Sequence, residues 1–367
     1  MSRKKLIMNS IHHRKGDGVP MMYRALPVIN KTLLEYFNCT PDIAVSWESL
    51  LDLLNADCFS GGGSMSKFTR INPIYTGPNK TFPDSSMFYV WGIYPRMKPS
   101  GEIIAFSVNT DFAKKDSIEE LKHYTYPTIN QFDFSSLTWR NSINNNHISG
   151  TGCIASLFMI SGYLRGFEKL FVELLTEKRL AHYYIDRIGE LAIQVARKVM
   201  EETGSAIDCY YIWDDMATQL DLMISPETFR EYYLPWYKKL FSLVKQYGCK
   251  VFFHICGNAN RIIPDLIDSG VDILDPVQVS AREMDLPTLK ERFGNHLCFH
   301  GGIDVQTMMP KMKPEELTAY TRRMQDLFVD TGGLILGPSH EITEDTPMQN
   351  ILAVYRPDLI NVLEDTK

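Results

Sequence analysis

The chain after about residue 205 alternates short apolar runs with amphipathic stretches, and this alternation restricts its fold more than any other feature. The runs are rich in aromatic and β-branched residues and have the length of buried strands. They lie at residues 210–213, 250–256, 271–274, 296–300 and 333–337. Strands that alternate with helices at this spacing are parallel and joined by crossover helices. An open doubly wound sheet and a closed barrel both satisfy the pattern.

Capping residues predict where the intervening helices begin and end. Ser225 before Pro226 is a good N-cap followed by proline at the first helical position, and this helix is expected to end near Gly248. Gly270 is typical of the residue just past a helix C-terminus. The other predicted helices of this half cover about residues 259–269, 286–293 and 314–331, and residues 162–202 form the clearest helical region before it.

The fold class predicted from these elements is α/β, a (β/α)8 barrel of the TIM type. Polar, chemically capable residues follow nearly every strand, and the glycine-rich phosphate-binding motif of many open sheets is missing from the sequence. In barrels the loops after the strands build the active site. We therefore expect one barrel domain over residues 1–367, with an N-terminal extension of about residues 1–60 packed on it.

Composition limits the partners and the compartment. The net charge is −6 without a long run of either sign, which argues against a nucleic-acid surface. Hydrophobic residues make up 44% of the chain, but no run reaches the length of a membrane span, and the N-terminus lacks the apolar core of a signal peptide. The seven scattered cysteines are interpreted as reduced thiols. We expect a cytoplasmic protein without nucleic-acid or membrane partners, and a homo-oligomer is left open.

Chemically capable residues follow five consecutive predicted strands. They are Trp213, Asp214, Asp215 and Gln219 after the first strand, His254 and Cys256 at the second, Gln278 after the third, His300 and Asp304 at the fourth, and His340 after the fifth. The carboxyl ends of parallel strands meet at one end of a barrel. The sequence therefore predicts one chemical site built from these side chains.

His254 and Cys256 are the most specific pair in this set. Residues two apart on a strand point to the same face, so both side chains are expected on one side of the sheet. Imidazole nitrogen and thiolate sulfur are preferred zinc ligands. The alternative reading is that both are core residues of a hydrophobic strand.

The remaining residues have several candidate roles. Asp214 and Asp215 are read as general acid or base, metal ligand, or helix cap. His300 and Asp304 are read as substrate contacts, because the two glycines between them allow close approach of the backbone. A hydrogen-bonded core position is the alternative for His300.

The motifs FFHICGN at residues 252–258, DLIDSGVDILDPVQ at 265–278, FHGGID at 299–304 and GPSHEI at 337–342 resemble the uroporphyrinogen decarboxylase superfamily. Within it they are most similar to the corrinoid-dependent methyltransferase branch. The resemblance implies a (β/α)8 barrel and a zinc ion held by a His-x-Cys pair, which His254 and Cys256 match, plus a later ligand. That ligand is commonly cysteine, and His340 stands at the position that aligns with it. We find no counterpart of the decarboxylases' N-terminal arginine-bearing motif, which argues against porphyrinogen decarboxylation.

The function expected from this resemblance is zinc-dependent transfer of a methyl group from a small methylated donor, preferably an aryl methyl ether, to cobalt. The cobalt belongs to a corrinoid (cobalamin) carried by a partner protein. Asp214, Asp215, His300 and Asp304 are the catalytic candidates; Gln219, Gln278 and Trp213 are the substrate-binding candidates; His254, Cys256 and His340 are the zinc candidates. The alternatives are methylcobalamin:thiol methyl transfer, a metal-free decarboxylase of the superfamily, and a non-catalytic corrinoid-binding homologue.

Overall fold

A computed structural model describes residues 1–39, 47–59, 73–78, 87–97, 103–135, 137, 148–152 and 155–363. Its strands are β1 Met22–Tyr23, β2 Cys58–Phe59, β3 Ile74–Tyr75, β4 Pro95–Met97, β5 Ile103–Phe106, β6 Phe132–Asp133, β7 Gly150–Thr151, β8 Cys209–Trp213, β9 Lys250–His254, β10 Ile273–Val277, β11 Cys298–Ile303 and β12 Leu334–Pro338.

Its helices are α1 Arg3–Ile11, α2 Pro27–Tyr36, α3 Trp47–Leu54, α4 Met87–Val90, α5 Thr110–Ala113, α6 Ile118–Lys122, α7 Leu157–Arg165, α8 Phe167–Thr176, α9 Lys178–Thr203, α10 Pro226–Tyr232, α11 Leu234–Lys245, α12 Ile263–Ser269, α13 Leu286–Phe293, α14 Met308–Lys311, α15 Pro314–Phe328 and α16 Met348–Tyr355. None of these helices is long and apolar enough to cross a membrane. Six cysteines are described and all are free thiols, while Cys153 lies outside the described residues.

Six parallel strands form the main sheet, in the order β12-β11-β10-β9-β8-β7. All five strands predicted after residue 205 are among them, within a few residues of the predicted bounds. The register aligns Trp213 of β8 with His254 of β9, and His254 with Asp275 of β10. This alignment brings the carboxyl ends of neighbouring strands to one level.

Two further parallel strands continue the sheet past β12. Met21, just before β1, bridges Leu336 of β12 in parallel, and β1 pairs in parallel with β2. One buried apolar cluster receives side chains from these eight strands or from residues beside them: Met22, Ile148, Cys209, Phe252, Ile273, Cys298 and Ile335, with Cys58 packed against them. A single core shared by eight parallel strands is the interior of a barrel, so the predicted fold class is confirmed.

The N-terminal segment of about residues 1–60 takes a different place from the predicted extension, because it supplies strands β1 and β2 of the barrel. Helix α1 covers the amino-terminal end of the barrel, where Ile7 and Ile11 join the interior cluster. The Ser10 hydroxyl donates to the carbonyl of Leu334 at 2.7 Å and accepts from its N–H at 3.0 Å. These contacts fix α1 across the start of β12.

The helices begin and end near the predicted capping residues, except that one predicted helix is two helices in the structure. The Ser225 hydroxyl accepts from the Thr228 N–H at 3.1 Å, as expected of an N-cap, and α13 has the predicted bounds. The helix predicted from Ser225 to about Gly248 is instead two helices, α10 and α11. Pro235 lies in the first turn of α11 and has no N–H to continue the ladder of α10, which explains the break at Tyr233.

Candidate metal centre and cavity

Alternation along the strands decides which side chains enter the barrel. Cys209 on β8 and Phe252 on β9 belong to the interior cluster, and residues at even steps from them point the same way. On β8 this parity sends Asp215 inward and Asp214 outward, toward the helices. On β9 it sends His254 and then Cys256 inward, as predicted from their spacing.

Asp215, His254 and Cys256 form a cluster at the carboxyl end of the barrel. One ligand atom from each lies within 4.8 Å of the other two. His254 Nε2 is 3.4 Å from Cys256 Sγ and 3.7 Å from Asp215 Oδ1. Nitrogen, sulfur and carboxylate oxygen at these separations are the donor types that zinc accepts, so the residues fit a zinc ion.

Asp215 is held in this position by two donors. Its Oδ1 accepts the backbone N–H of Cys256 at 2.7 Å, and its Oδ2 accepts a hydrogen bond from the indole N–H of Trp213. The predicted substrate-binding residue Trp213 thus orients a cluster member. Its ring also lies edge-on to the ring of His254, with centroids 6.4 Å apart.

The Asp275 carboxylate is hydrogen-bonded to two histidines, His254 of the cluster and His300. One carboxylate oxygen is hydrogen-bonded to His254 Nδ1, and the other lies 2.6 Å from His300 Nδ1. Asp275, His254 and His300 are all at most 3% exposed. His300 is therefore a partner of Asp275 in the barrel interior, in line with the alternative reading that it is hydrogen-bonded core.

The surroundings of His254 and Cys256 raise the pKa values of both side chains. Burial raises the pKa of the Cys256 thiol, and the opposing effect of His254 is smaller. Burial works to lower the pKa of His254, but Tyr211, Cys256 and Asp275 together outweigh it and hold that pKa well above its ordinary value. Metal ligands must be deprotonated, so a metal ion would displace these protons.

A cavity of about 520 Å³ opens beside Cys256, within the size range of small-molecule sites. It is lined by Ala217, Thr218, Gln219, Cys256, Gly257, Gln278, Val305, Gln306, Ser339, His340, Glu341, Thr343 and Asp345. The predicted substrate contacts Gln219 and Gln278 are both in this wall. Gln219 Nε2 donates to Gln306 Oε1 at 2.6 Å, which ties the loop after β8 to the loop after β11.

His340 lies in the cavity wall, outside the compact group formed by Asp215, His254 and Cys256. Loss of hydration and then the neighbouring Arg24 cation lower the pKa of His340. The imidazole is therefore neutral at neutral pH, which is the form that binds metals.

Asp214 occupies a structural position, and the catalytic role predicted for it stays a prediction. Its carboxylate accepts the backbone N–H groups of Phe158 and Met159 at 2.9 and 2.8 Å, at the start of α7, and the Tyr237 hydroxyl donates to it. The side chain is fully buried outside the barrel, and burial raises its pKa to about 7 against these hydrogen bonds. Of the alternatives considered for Asp214, the helix cap describes this geometry.

Asp304 also binds its own loop. Its Oδ2 accepts the N–H and the hydroxyl of Thr307, both at 2.6 Å, and the N–H of Met308 at 3.2 Å. The residue is 1% exposed and does not line the cavity. These bonds shape the turn that carries Val305 and Gln306 into the cavity wall, and the catalytic role of Asp304 stays a prediction.

Sequence reasoning passed over two residues. Asp275 directly follows the run at 271–274 that is predicted as a buried strand, and no role was predicted for it; its even step from Ile273 indicates that it faces the barrel interior. Arg24 lies two residues past Met22 on the same face, within the segment predicted to be an extension. Alternation from Ile273 was an available signal for Asp275, whereas the two-residue strand β1 gave none for Arg24.

The chain is similar to known proteins over part of its length. Residues 136–356 match the family described as uroporphyrinogen decarboxylase (URO-D). A methylated-thiol–coenzyme M methyltransferase of Methanosarcina mazei is 27% identical over 199 residues, covering 54% of this chain and 50% of the relative. A methylcobamide:CoM methyltransferase of Methanosarcina acetivorans is 24% identical over 204 residues, 54% of this chain and 55% of the relative. The chain thus spans about half the length of the curated relatives it matches.

The fold has a full-length counterpart among solved structures. A methyltransferase from Methanosarcina mazei superposes with a TM-score of 0.61 and covers 99% of both chains. Its sequence is 16% identical, so the likeness concerns the fold alone.

Proposed function

The chain belongs to the uroporphyrinogen decarboxylase family, and we propose that it is a zinc-dependent methyltransferase that moves a methyl group from a small methylated donor to the cobalt of a corrinoid protein. The cluster of Asp215, His254 and Cys256 beside an open cavity carries the proposal. The names of the relatives, which are corrinoid and thiol methyltransferases, support the reaction class. We place the reaction in the cytoplasm with a separate corrinoid protein as partner.

The proposed zinc ligands are Asp215, His254 and Cys256, with His340 as the candidate for a further ligand. Zinc held there would act as a Lewis acid on the leaving heteroatom of the donor, or would hold a thiolate in the thiol reaction. Asp275 fixes the ring of His254, and Trp213 fixes the carboxylate of Asp215, so the chain presents its donor atoms already oriented.

An aryl methyl ether is the donor class we favour. Aromatic side chains lie near His254: the ring centroids of Tyr211 and Trp213 are 6.0 and 6.4 Å from that of His254, and the tilted ring of Phe252 is 5.2 Å from that of Tyr211. In the reaction the carbon–oxygen bond breaks, and cobalt(I) supplies both electrons of the new cobalt–carbon bond. The phenolate released takes a proton from water in the open cavity.

Thiol methylation is the second candidate, because a relative is named for methylated thiols and coenzyme M. In that reaction a thiolate sulfur attacks the methyl group of methylcobalamin, the thiol proton is released and cobalt(I) leaves. The two reactions use the same cobalt chemistry in opposite directions. Donor and acceptor assays therefore separate them.

The test combines zinc-loaded protein with free cob(I)alamin and, in separate reactions, methoxyaromatics, methylamines and methylated thiols. Loss of the cobalt(I) absorbance with methoxyaromatics alone is expected. A further reaction offers methylcobalamin and a free thiol. Demethylation of methylcobalamin there, with no loss of cobalt(I) absorbance in the methoxyaromatic reaction, would replace ether demethylation with thiol methylation as the function. Activity of chelated protein as a decarboxylase, or no methyl transfer in any reaction, would overturn the proposal.

A further inference from the structure

The turn after strand β8 carries an exposed leucine beside the cavity. Leu220 is 74% exposed and directly follows Gln219, which lines the cavity, and Met223 in the same segment is 36% exposed. A single exposed leucine is common on protein surfaces, so its position and its support decide what it means. Leu220 lies where a molecule that covers the opening of the cavity would contact it.

Hydrogen bonds fix the shape of the turn of residues 217–222. The Thr218 N–H and hydroxyl both donate to the Asp221 carbonyl, at 2.8 and 2.9 Å. The Thr218 carbonyl accepts the Asn258 N–H at 2.7 Å, and the Asn258 side-chain amide donates to the Leu220 carbonyl at 2.9 Å. Because the turn is already ordered, a ligand that packs on Leu220 loses little free energy in ordering it.

Gln219 joins this turn to two other loops at the mouth of the barrel. Its carbonyl accepts the Arg282 N–H at 3.0 Å, from the loop after β10, and its side chain donates to Gln306 in the loop after β11. Gly257, in the loop after β9, approaches so closely that a Cβ there would lie 2.4 Å from the Thr218 carbonyl oxygen. Four strand-end loops thus form one continuous rim around the opening.

The lining of the mouth is rich in amides. Gln219, Gln278 and Gln306 all line the cavity, and each side-chain amide both donates and accepts hydrogen bonds. Glu341 and Asp345 add further acceptors, and none of the described residues in the lining is lysine or arginine. Such a surface matches a ligand whose edge carries amide groups of its own. The corrin macrocycle of cobalamin is such a ligand, because its faces are apolar and primary amides project from its edge.

The size of the cavity keeps the corrin at its mouth. A cavity of about 520 Å³ suits a small donor, and a corrin with its side chains is larger. The cobalt at the centre of the corrin must nevertheless come into line with a methyl group held at the metal cluster. Because Cys256 of the cluster also lines the cavity, a corrin that lies across the rim satisfies both conditions.

We propose that the amide rim, formed by Gln219, Gln278, Gln306 and the exposed Leu220, binds the corrin directly. Leu220 packs against the apolar macrocycle, and the three glutamines pair with the amides of its edge. The inference rests on the proposed function and deepens it, because it assigns a surface of this chain to the cofactor that the partner protein carries. Free cobalamin is then a ligand of this chain without any carrier.

The experiment measures binding to the full chain by equilibrium dialysis. The probes are methylcobalamin and cobinamide, which has the same corrin but lacks the nucleotide tail. The variants are Leu220→Asp, Leu220→Met and Gln306→Met. Leu175→Asp is the matched control, because Leu175 is 71% exposed and lies on α8, outside the lining of the cavity.

The wild-type chain is expected to bind both probes with similar affinity, because the contacts are with the corrin. Leu220→Asp weakens both by about tenfold, since a charge replaces the apolar contact, and Leu220→Met keeps most of the affinity. Gln306→Met weakens both by about threefold, because an amide pair is lost. Leu175→Asp binds like the wild type. The Leu220 variants keep the wild-type melting temperature, because the side chain is exposed.

Absence of saturable binding of either probe, wild-type affinity in Leu220→Asp and Gln306→Met, or an equal loss in Leu175→Asp would overturn the inference. Self-association that Leu220→Asp abolishes, without corrin binding, would assign the surface to a second copy of the chain instead. Methyl transfer to free cob(I)alamin at the wild-type rate in Leu220→Asp removes the inference alone. Corrin binding at the amide rim without any methyl transfer supports the surface and removes only the proposed reaction.

Discussion

Asp275 holds the imidazole of His254 through Nδ1, and this contact turns Nε2 toward the Cys256 thiol at 3.4 Å. The two residues face each other on adjacent strands, in register. A carboxylate that accepts a hydrogen bond from a metal-binding histidine fixes the orientation of the ring and makes the other ring nitrogen a stronger metal ligand. The second oxygen of Asp275 binds His300 in the same way, so one carboxylate orders two rings.

Replacing Asp275 by Asn is expected to weaken zinc binding about 10- to 100-fold, because the amide cannot stabilise the charge that His254 shares with the metal. The affinity is measured by competition with a chelator. Asp272→Asn is the control, since Asp272 accepts the Val251 N–H near the other end of the same strands. An Asp275→Asn protein with wild-type zinc affinity would show that the carboxylate has no role in metal binding.

Cys256→Ser is expected to lose most of the bound zinc, from about one ion per chain in the wild type, because the hydroxyl is a far weaker ligand than a thiolate. Metal analysis of the purified proteins provides the measurement. Cys39→Ser serves as the control, because Cys39 lies past α2 and its thiol donates to the carbonyl of Phe37. Equal zinc content in both variants would mean that the metal, if bound, lies elsewhere.

Zinc binding is expected to strengthen as pH rises and to release about two protons per ion near pH 7. The pKa values of His254 and Cys256 are both raised in the metal-free protein, so both groups carry protons at neutral pH and must lose them to bind. Calorimetry in buffers of different ionisation enthalpy counts the protons. Release of none would mean that these groups are not the ligands.

Tyr237→Phe is expected to lower the free energy of unfolding by about 1.5–3 kcal/mol without changing the zinc content, since it removes a buried hydrogen bond to the Asp214 carboxylate. Denaturant unfolding measures the change. Tyr247→Phe, at a half-buried position in the turn after α11, is the matched control and is expected to stay near wild type. Loss of zinc in a stably folded Tyr237→Phe protein would assign Asp214 a place at the site.

Much of the fold follows from the sequence because the later strands are bounded by clear helix caps. Ser225 and the bounds of α13 are predicted residue by residue. Strands β1 and β2 are only two residues long, and so short a run gives no periodic signal. The place of β1 in the barrel depends on the bridge from Met21 to β12, and that of β2 on pairing with β1, neither of which the local sequence encodes.

The sequence predicts those parts of the site that depend only on the alternation of side chains along a strand. His254 and Cys256 are two apart, and their approach follows directly from alternation. The different positions of Asp214 and Asp215 follow from the same rule once the inward face of β8 is known. That face is defined by the partners of Cys209 in the interior cluster, which only the folded barrel brings together.

Helix α1 gives the barrel a closed floor. Ile7 and Ile11 pack into the interior cluster and Ser10 is hydrogen-bonded to Leu334, so α1 covers the amino-terminal end of the barrel. The cavity lies toward the carboxyl end. If the proposed corrinoid protein docks over the cavity, it would cover this opening. We then expect the donor to enter before the corrinoid protein binds, so that steady-state kinetics show a compulsory order of addition, with the corrinoid protein in excess acting as an inhibitor.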